Sequence, residues 1–354
     1  MRHGAKPRFR LVGSGLTAGP WLWHVIGVLQ HLSTTAQTLS RRCADSCLVR
    51  GCTLKLSTGF IAAIILIGSG MMAQPAAAQK IVTLGSGFSL PAGVAVDSHG
   101  NVFVADTFNN VVKEIPAGGG AVITLSSGLF NPYGVAVDGQ GDVFFVNTDS
   151  DTVMEIPAGG GPVLTLGSGF FTPHGIAVDG QGNVFIADSG NNAVKELPVG
   201  GGPVLILGSG FSFPTGVAVD GQGNVFVADS SHNAVKEIPA GGGPVTTLGS
   251  GFNQPTGVAV DRQGNVFVAD NGNNAVKEIP AGGGTVVTLG SGFFNPYGVA
   301  LDSQGNVLVA DFANSLVKEI VLAAPVPALG VWGLLFCAVL LGGAGVRAMR
   351  RRAA

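Results

Sequence analysis

The stretch PHGIAVDGQGNVFIADSGNNAVKELP, Pro173 to Pro198, reads as three short β-branched runs broken by turn residues. GIAVD (Gly175 to Asp179) stops at GQG, NVFIAD (Asn183 to Asp188) stops at SGNN, and AVKELP (Ala193 to Pro198) stops at a glycine cluster. A fourth run of the type PVLTLGSGF (Pro162 to Phe170) leads into the unit from the one before. Gly or Asn clusters interrupt the chain every 8 to 12 residues and no 3.6-residue period appears. The fold class is therefore all-β, with four strands to a unit.

Working outward, the unit recurs with its proline at Pro91, Pro132, Pro173, Pro214, Pro255 and Pro296, each 41 residues from the last. Units of about 40 residues with four strands are the signature of propeller blades. The expectation is a six-bladed β-propeller of four-stranded antiparallel blades over residues 79–322. The last unit stops after its third strand, Leu316 to Val321, while an orphan fourth-strand sequence, Ile81-Val82-Thr83-Leu84, stands before the first. Pairing these two ends would complete the sixth blade and remove an open edge.

The flanks differ in kind. Residues 1–53 show too little periodicity to bury a core, and read as an unstructured extension or as sequence upstream of the true start. Residues 54–78 hold Lys55, the apolar run Phe60 to Met72, and Ala76 and Ala78 at the positions a signal peptidase reads, which is the pattern of a secretory signal. Residues 323–354 contain 18 uncharged residues, Leu329 to Val346, and then Arg347, Arg350, Arg351 and Arg352. This is a transmembrane helix candidate whose arginines favour a cytoplasmic carboxy terminus and a propeller outside the cytoplasm, in the periplasm or at the cell surface.

Charge is segregated. The net charge of -2 hides 20 of 21 acidic residues between Gln79 and Leu322 with only 7 of 19 basic ones, so that span carries -13. Such a domain is not built to bind nucleic acid, which needs clustered Lys and Arg. Cys43, Cys47, Cys52 and Cys337 all lie outside it, so it offers neither disulfide nor thiolate chemistry.

The wording PxGVAVDxxGNVFVADxxNNxVKEI resembles the NHL repeat, and the resemblance runs from Gln79 to Leu322. It implies a propeller but no single function, since NHL propellers include protein-binding and RNA-binding scaffolds and a few metal-dependent lyases. The tail, with Val326-Pro327-Ala328-Leu329, Trp332-Gly333 and the cluster Arg350, Arg351, Arg352, is similar to the sorting tails handled by exosortase-type membrane proteases. The family spelling has Ile-Pro-Thr-Leu, and a sister family has Pro-Glu-Pro where this chain has Pro325-Val326-Pro327. A plain single-pass anchor is the alternative.

Twelve Asx positions end the first and second strands, from Asp97 and Asp106 to Asp302 and Asp311. They invite calcium, but an Asp before a Gly-rich turn usually accepts backbone N–H bonds, so they read as turn staples. The Lys and Glu of VKEI point to opposite faces of their strand and read as outer-strand solubility and cross-blade pairs, not as paired catalytic carboxylates. A localised site must break the sixfold repetition. The residue after each proline does so, reading Ala92, Tyr133, His174, Thr215, Thr256 and Tyr297 around the channel mouth, with Phe130, Phe171, Phe213 and Phe294 in the loops before it. These form either an aromatic funnel for a peptide, glycan or small apolar ligand, or simply a cover on the core. His174 is the only channel histidine, and no Gly-x-Ser-x-Gly elbow or Walker loop is present, so no catalytic residue, metal or cofactor is expected.

The sequence thus points to a non-catalytic, exported binding scaffold. Its partner would be a protein, peptide or glycan at the cell envelope, with the membrane met through residues 329–346 and processing by an exosortase-type protease. The alternatives are an extracellular metal-dependent lyase, lactonase or hydrolase with its site at the channel, and a rigid spacer with little ligand specificity.

Overall fold

The computed structural model describes residues 80–322, which form twenty-four strands in six antiparallel sheets of four. The readings for residues 1–53, the signal segment with Ala76 and Ala78, and the tail with Pro327, Trp332, Gly333 and the arginines fall outside the described residues. Among the described residues no helix is long and apolar enough to cross a membrane.

Blade 1 shows the pattern. From the channel outward it runs β2 (Pro91–Val96), β3 (Val102–Asp106), β4 (Val111–Ile115) and β5 (Ile123–Ser127). Blades 2 to 5 follow as β6–β9 (Pro132–Ser168), β10–β13 (Pro173–Leu207), β14–β17 (Pro214–Leu248) and β18–β21 (Pro255–Ser291). Blade 6 is composite. Its strands are β22 (Pro296–Leu301), β23 (Val307–Asp311), β24 (Leu316–Val321) and, outermost, β1 (Lys80–Gly85) from the other end of the chain. Lys80 pairs with Val321, Ile81 with Ile320 and Thr83 with Lys318, which is the closure expected from the orphan strand.

The second strand of every blade is buried along its whole length, as in VFVAD of β3. Successive side chains there face opposite blades, so each strand feeds two interblade cores. Val104 packs with Val94 and Leu308 on one side, while Phe103 and Ala105 pack with Val135 and Phe145 on the other. All six such cores are built from residues 84–322, so the ring is complete in itself.

The innermost strands meet at a ring of glycines. A Cβ on Gly93, Gly134, Gly175, Gly216, Gly257 or Gly298 would stand 2.2–2.5 Å from the carbonyl oxygen of the next blade. Six strands must converge here, and no blade can retreat without moving its neighbours. Gly216→Ala, with Thr256 O at 2.2 Å, is expected to cost about 3 kcal/mol or more by overpacking. Gly221→Ala, in an open turn with nothing within 4 Å, should shift the denaturation midpoint little. Equal midpoints for the two variants would refute the close approach.

The loops divide into two faces. The upper face carries the turns between second and third strands and the loops joining blades, and the lower face carries the other turns. At the lower face Asp97 Oδ1 accepts the N–H groups of His99 (2.9 Å) and Asn101 (2.8 Å), and the equivalents in all six blades do the same. This is the turn-stapling role expected of the first Asp set. Asp142 is an exception to its neighbours, because five blades hold an Asn there, from Asn101 to Asn306, whose amide donates to the turn Asp. Glu155 beside it is raised above the usual carboxylate range by burial and then by the charges of Asp142 and Asp138.

The second Asp set also accepts a backbone N–H, as expected, but it holds a lysine as well, and the lysines correct the sequence reading. Asp188 is fully buried and bonds across its blade: Oδ1 accepts the N–H of Phe171 at 2.7 Å, and Oδ2 meets Lys195 Nζ at 2.5 Å and Asn191 Nδ2 at 2.8 Å. Lys195 also donates to Gly169 O and lies over the Phe170 ring. The same unit recurs at Lys113, Lys236, Lys277 and Lys318. These lysines stand on the third strand, not the outermost, and they hold down the loop between blades. Their charge does not serve solubility.

One result is a lopsided charge. The lower face carries thirteen carboxylates (Asp97, Asp138, Asp142, Asp179, Asp220, Asp261, Asp302 and six glutamates) against Lys80 and Arg262, a net -11. On the upper face five lysines offset five buried aspartates, and only Asp149 and Asp151 remain, a net -2.

Candidate functional site

The upper mouth of the channel is where the sixfold repetition fails. Ala92, Tyr133, His174, Thr215, Thr256 and Tyr297 all reach it, as their position after each proline implied. They do not form an open funnel. Tyr133 meets His174 edge to face with ring centroids 4.7 Å apart, and Tyr297 lies 5.4 Å from Tyr133 and 6.5 Å from His174. Tyr297 reaches across the place where Ala92 supplies no bulk. The free volume at the mouth is only about 60 Å³, room for a few waters, so the three rings act as a plug. Below the glycine ring the channel widens to about 320 Å³, lined by valine, alanine, Ile176 and Leu301.

His174 is locked. Its Nδ1 lies 2.9 Å from Thr172 O and 2.9 Å from Ser189 Oγ. A carbonyl can only accept, so Nδ1 carries the proton and Nε2 is left as a bare acceptor. Thr172 is a β-branched residue at φ 44, a left-handed conformation seldom adopted without support, here held by an N–H bond to Asp151 Oδ1 at 2.7 Å. Burial lowers the His174 pKa from 6.5 to about 4, with the Thr172 bond and the Asp149 charge pulling the other way. The imidazole is therefore neutral at physiological pH. Tyr133 is raised by burial and then by Asp149, and Tyr297 is raised well above its ordinary value by burial and then by Tyr133, so both phenols stay protonated.

The sign of the resulting pH dependence follows directly. Between pH 6.5 and about 4 the unfolded chain binds a proton at His174 that the folded one refuses, so stability is lost as pH falls through that window. The loss is roughly 3–4 kcal/mol, from a lowering of about 2.5 in pKa at about 1.4 kcal/mol each. His174→Asn should flatten the dependence of the urea midpoint on pH there, and an unchanged slope would refute the assignment.

Thr215 and Thr256 turn out to be structural. Both are buried, Thr215 Oγ1 bonding Ser230 Oγ at 2.6 Å and Thr256 O at 3.1 Å, and Thr256 Oγ1 bonding Tyr297 O at 2.9 Å. Phe213 joins the cluster, its ring 5.3 Å from His174. Phe130, Phe171 and Phe294 remain exposed, at 63, 54 and 53 %, on the upper face outside the mouth.

Phe312, which sequence reasoning passed over, packs 5.7 Å from Tyr297. The signal was present, because the position after the second-strand Asx reads Thr107, Thr148, Ser189, Ser230, Asn271 and Phe312. The first five bond the proline carbonyl of the next blade: Thr107 to Pro132 and Thr148 to Pro173 at 2.7 Å, Ser189 to Pro214 at 2.5 Å, Ser230 to Pro255, and Asn271 to Pro296 at 3.2 Å. Phe312 has no donor, so the seam from blade 6 to blade 1 lacks this bond and the ring supports Tyr297 instead.

Fold and mouth together define a closed six-bladed propeller with a plugged channel. The NHL repeat model matches residues 88–111, 172–197, 211–238 and 252–279, and the IPTL-CTERM motif matches residues 324–351. The chain thus carries NHL repeats ahead of an IPTL-CTERM motif. No curated protein matches. Among solved structures it is similar to a gluconolactonase from Xanthomonas campestris, with a TM-score of 0.61 at 16 % identity, covering 69 % of this chain and 90 % of that one. It is similar also to a virginiamycin B lyase from Staphylococcus aureus (0.52, 14 %, 70 % and 89 %) and to a chain of a nidogen/laminin complex (0.53, 20 %, 59 % and 84 %). At these identities the likeness is one of fold.

Proposed function

We propose that the protein is an exported scaffold, sorted to the cell envelope, that binds its partner with the upper face and does not catalyse a reaction. The observation that carries this is the cluster of Tyr133, His174 and Tyr297, where a nearly identical repeat is broken so that side chains of three blades meet at one mouth of the channel. Exits of the chain favour the same face. Lys80 and Val321 are paired neighbours, and the Leu322 N–H bonds Asn306 Oδ1 in a lower-face turn. Both ends of the described segment therefore lie at the lower face, opposite the cluster. The IPTL-CTERM motif supports export and sorting.

Immobilised residues 79–322 should capture a component of cell-envelope extract, and Tyr133→Ala with Tyr297→Ala should abolish the capture. Intact capture by the double variant would remove this face from consideration. Mass spectrometry of both termini of the mature protein tests export and sorting, because an uncut amino terminus contradicts the reading.

The catalytic alternative, a metal-dependent lyase or lactonase, has one group suited to it, the bare Nε2 of neutral His174. A three-ligand metal site does not fit, because among the described residues no three His, Cys, Asp or Glu side chains gather. A stoichiometric metal removed by EDTA from purified protein would overturn the scaffold reading.

A further inference from the structure

We infer that the upper-face site takes an uncharged, polyhydroxylated ligand, a neutral oligosaccharide laid across the aromatic plug. The inference rests on the proposal that this face binds, and goes on to name what it binds.

Three polar atoms stand at the mouth without protein partners among the described residues. Among the described residues neither the Tyr133 nor the Tyr297 hydroxyl has a hydrogen-bond partner, and Nε2 of His174 has none while its Nδ1 is held. Among the described residues no buried polar side-chain atom is left unsatisfied, and Tyr133, His174 and Tyr297 are each half-buried rather than lost inside the core. Each phenol both donates and accepts, and the imidazole nitrogen accepts, which is the complement of a pair of sugar hydroxyls. With room for only a few waters below, a ligand lies on the rings instead of entering the channel. The apolar face of a pyranose suits such a surface, and the hydroxyls at its edge suit the phenols.

The surroundings narrow the class further. Exposed Phe294, Phe108, Phe130, Phe171 and Phe213 trace an arc over blades 6 to 4, and the arc is open at blade 5, where Asn253 and Gln254 stand in their place. An extended chain of sugar rings crossing the mouth would meet one of these side chains on leaving it. Charge disfavours an acidic ligand, because the lysines of this face are all bonded to buried aspartates and Asp149 stands exposed beside the site. Nor is there a free cation among the described residues of this face to recognise a phosphate or a carboxylate.

The protein supplies its own probe. Residues 79–322 contain no tryptophan, and Tyr133 and Tyr297 are the only tyrosines, so their emission reports this site and nothing else. Titration with maltohexaose, cellohexaose and N-acetylchitohexaose should give a saturable change of tyrosine emission with at least one of them, and polygalacturonate should give none. In calorimetry, Tyr133→Phe with Tyr297→Phe, which keeps the rings and removes the hydroxyls, should weaken that binding roughly 5- to 100-fold. If all three oligosaccharides fail while Tyr133→Ala with Tyr297→Ala still abolishes capture from envelope extract, the ligand is not a neutral glycan although the face stands. Binding of polygalacturonate, or neutral binding unchanged by the Phe variants, overturns the assignment as well. Loss of nothing in either experiment removes the face itself.

Discussion

Lys195→Met alone is expected to destabilise the propeller by about 3–5 kcal/mol, because it leaves Asp188 charged, buried and without its cation. The remaining bonds from the Phe171 N–H and Asn191 Nδ2 do not neutralise it. Adding Asp188→Asn and Phe170→Leu should recover most of that loss. Blade 2 already has this combination, with Asn147, Met154 and Leu129 at the three positions. There Asn147 Oδ1 still accepts the Phe130 N–H at 2.7 Å, its amide approaches Met154 Sδ at 3.7 Å, and Leu129 is buried where the other blades place phenylalanine under a lysine. Polar and apolar solutions to one structural task thus coexist in a single ring. Urea denaturation of the single and triple variants measures the coupling, and additive costs would contradict it.

Deletion of Ile81 to Gly87 should lower the melting temperature by about 10–20 °C and make the domain prone to aggregate. The estimate takes four or five lost ladder bonds at about 1 kcal/mol each and 2–4 °C per kcal/mol for a domain of this size. The deletion also removes Gly87 O, to which Lys113 Nζ donates at 2.8 Å. It would bare the edge of β24, whose main-chain groups could then recruit other molecules. The 6–1 seam is the place least able to absorb the loss, since Phe312 provides no bond to Pro91. A melting curve and sedimentation profile unchanged by the deletion would contradict the closure.

Blade number, strand order and ring closure are legible in the amino-acid sequence alone, because each depends on spacing along the chain and the 41-residue period is free of insertions. Placement of the residue after each proline at the mouth is legible for the same reason. Its consequences are not. Tyr133, His174 and Tyr297 close the mouth because rings from three separate blades lean together, a convergence that depends on the channel radius set by the glycine ring. Thr215 and Thr256 look like Tyr133 when the repeats are aligned, yet short side chains there bond neighbouring carbonyls instead of reaching the ligand face. The Lys–Asp–Phe unit spans positions far apart in sequence, such as Phe170, Asp188 and Lys195, and only their joint absence from blade 2 betrays it.

The composite sixth blade bears on how such a chain changes over generations. Its cut falls between the third and fourth strands, so the propeller begins with a fourth strand and ends with a third. Gain or loss of one whole 41-residue unit by unequal recombination would leave those same complementary ends, and the new ring could still latch. Blade count is therefore limited by how many inner strands fit around the glycine ring, not by the termini. The gene is free to sample ring sizes in whole steps, with every trial already carrying its clasp.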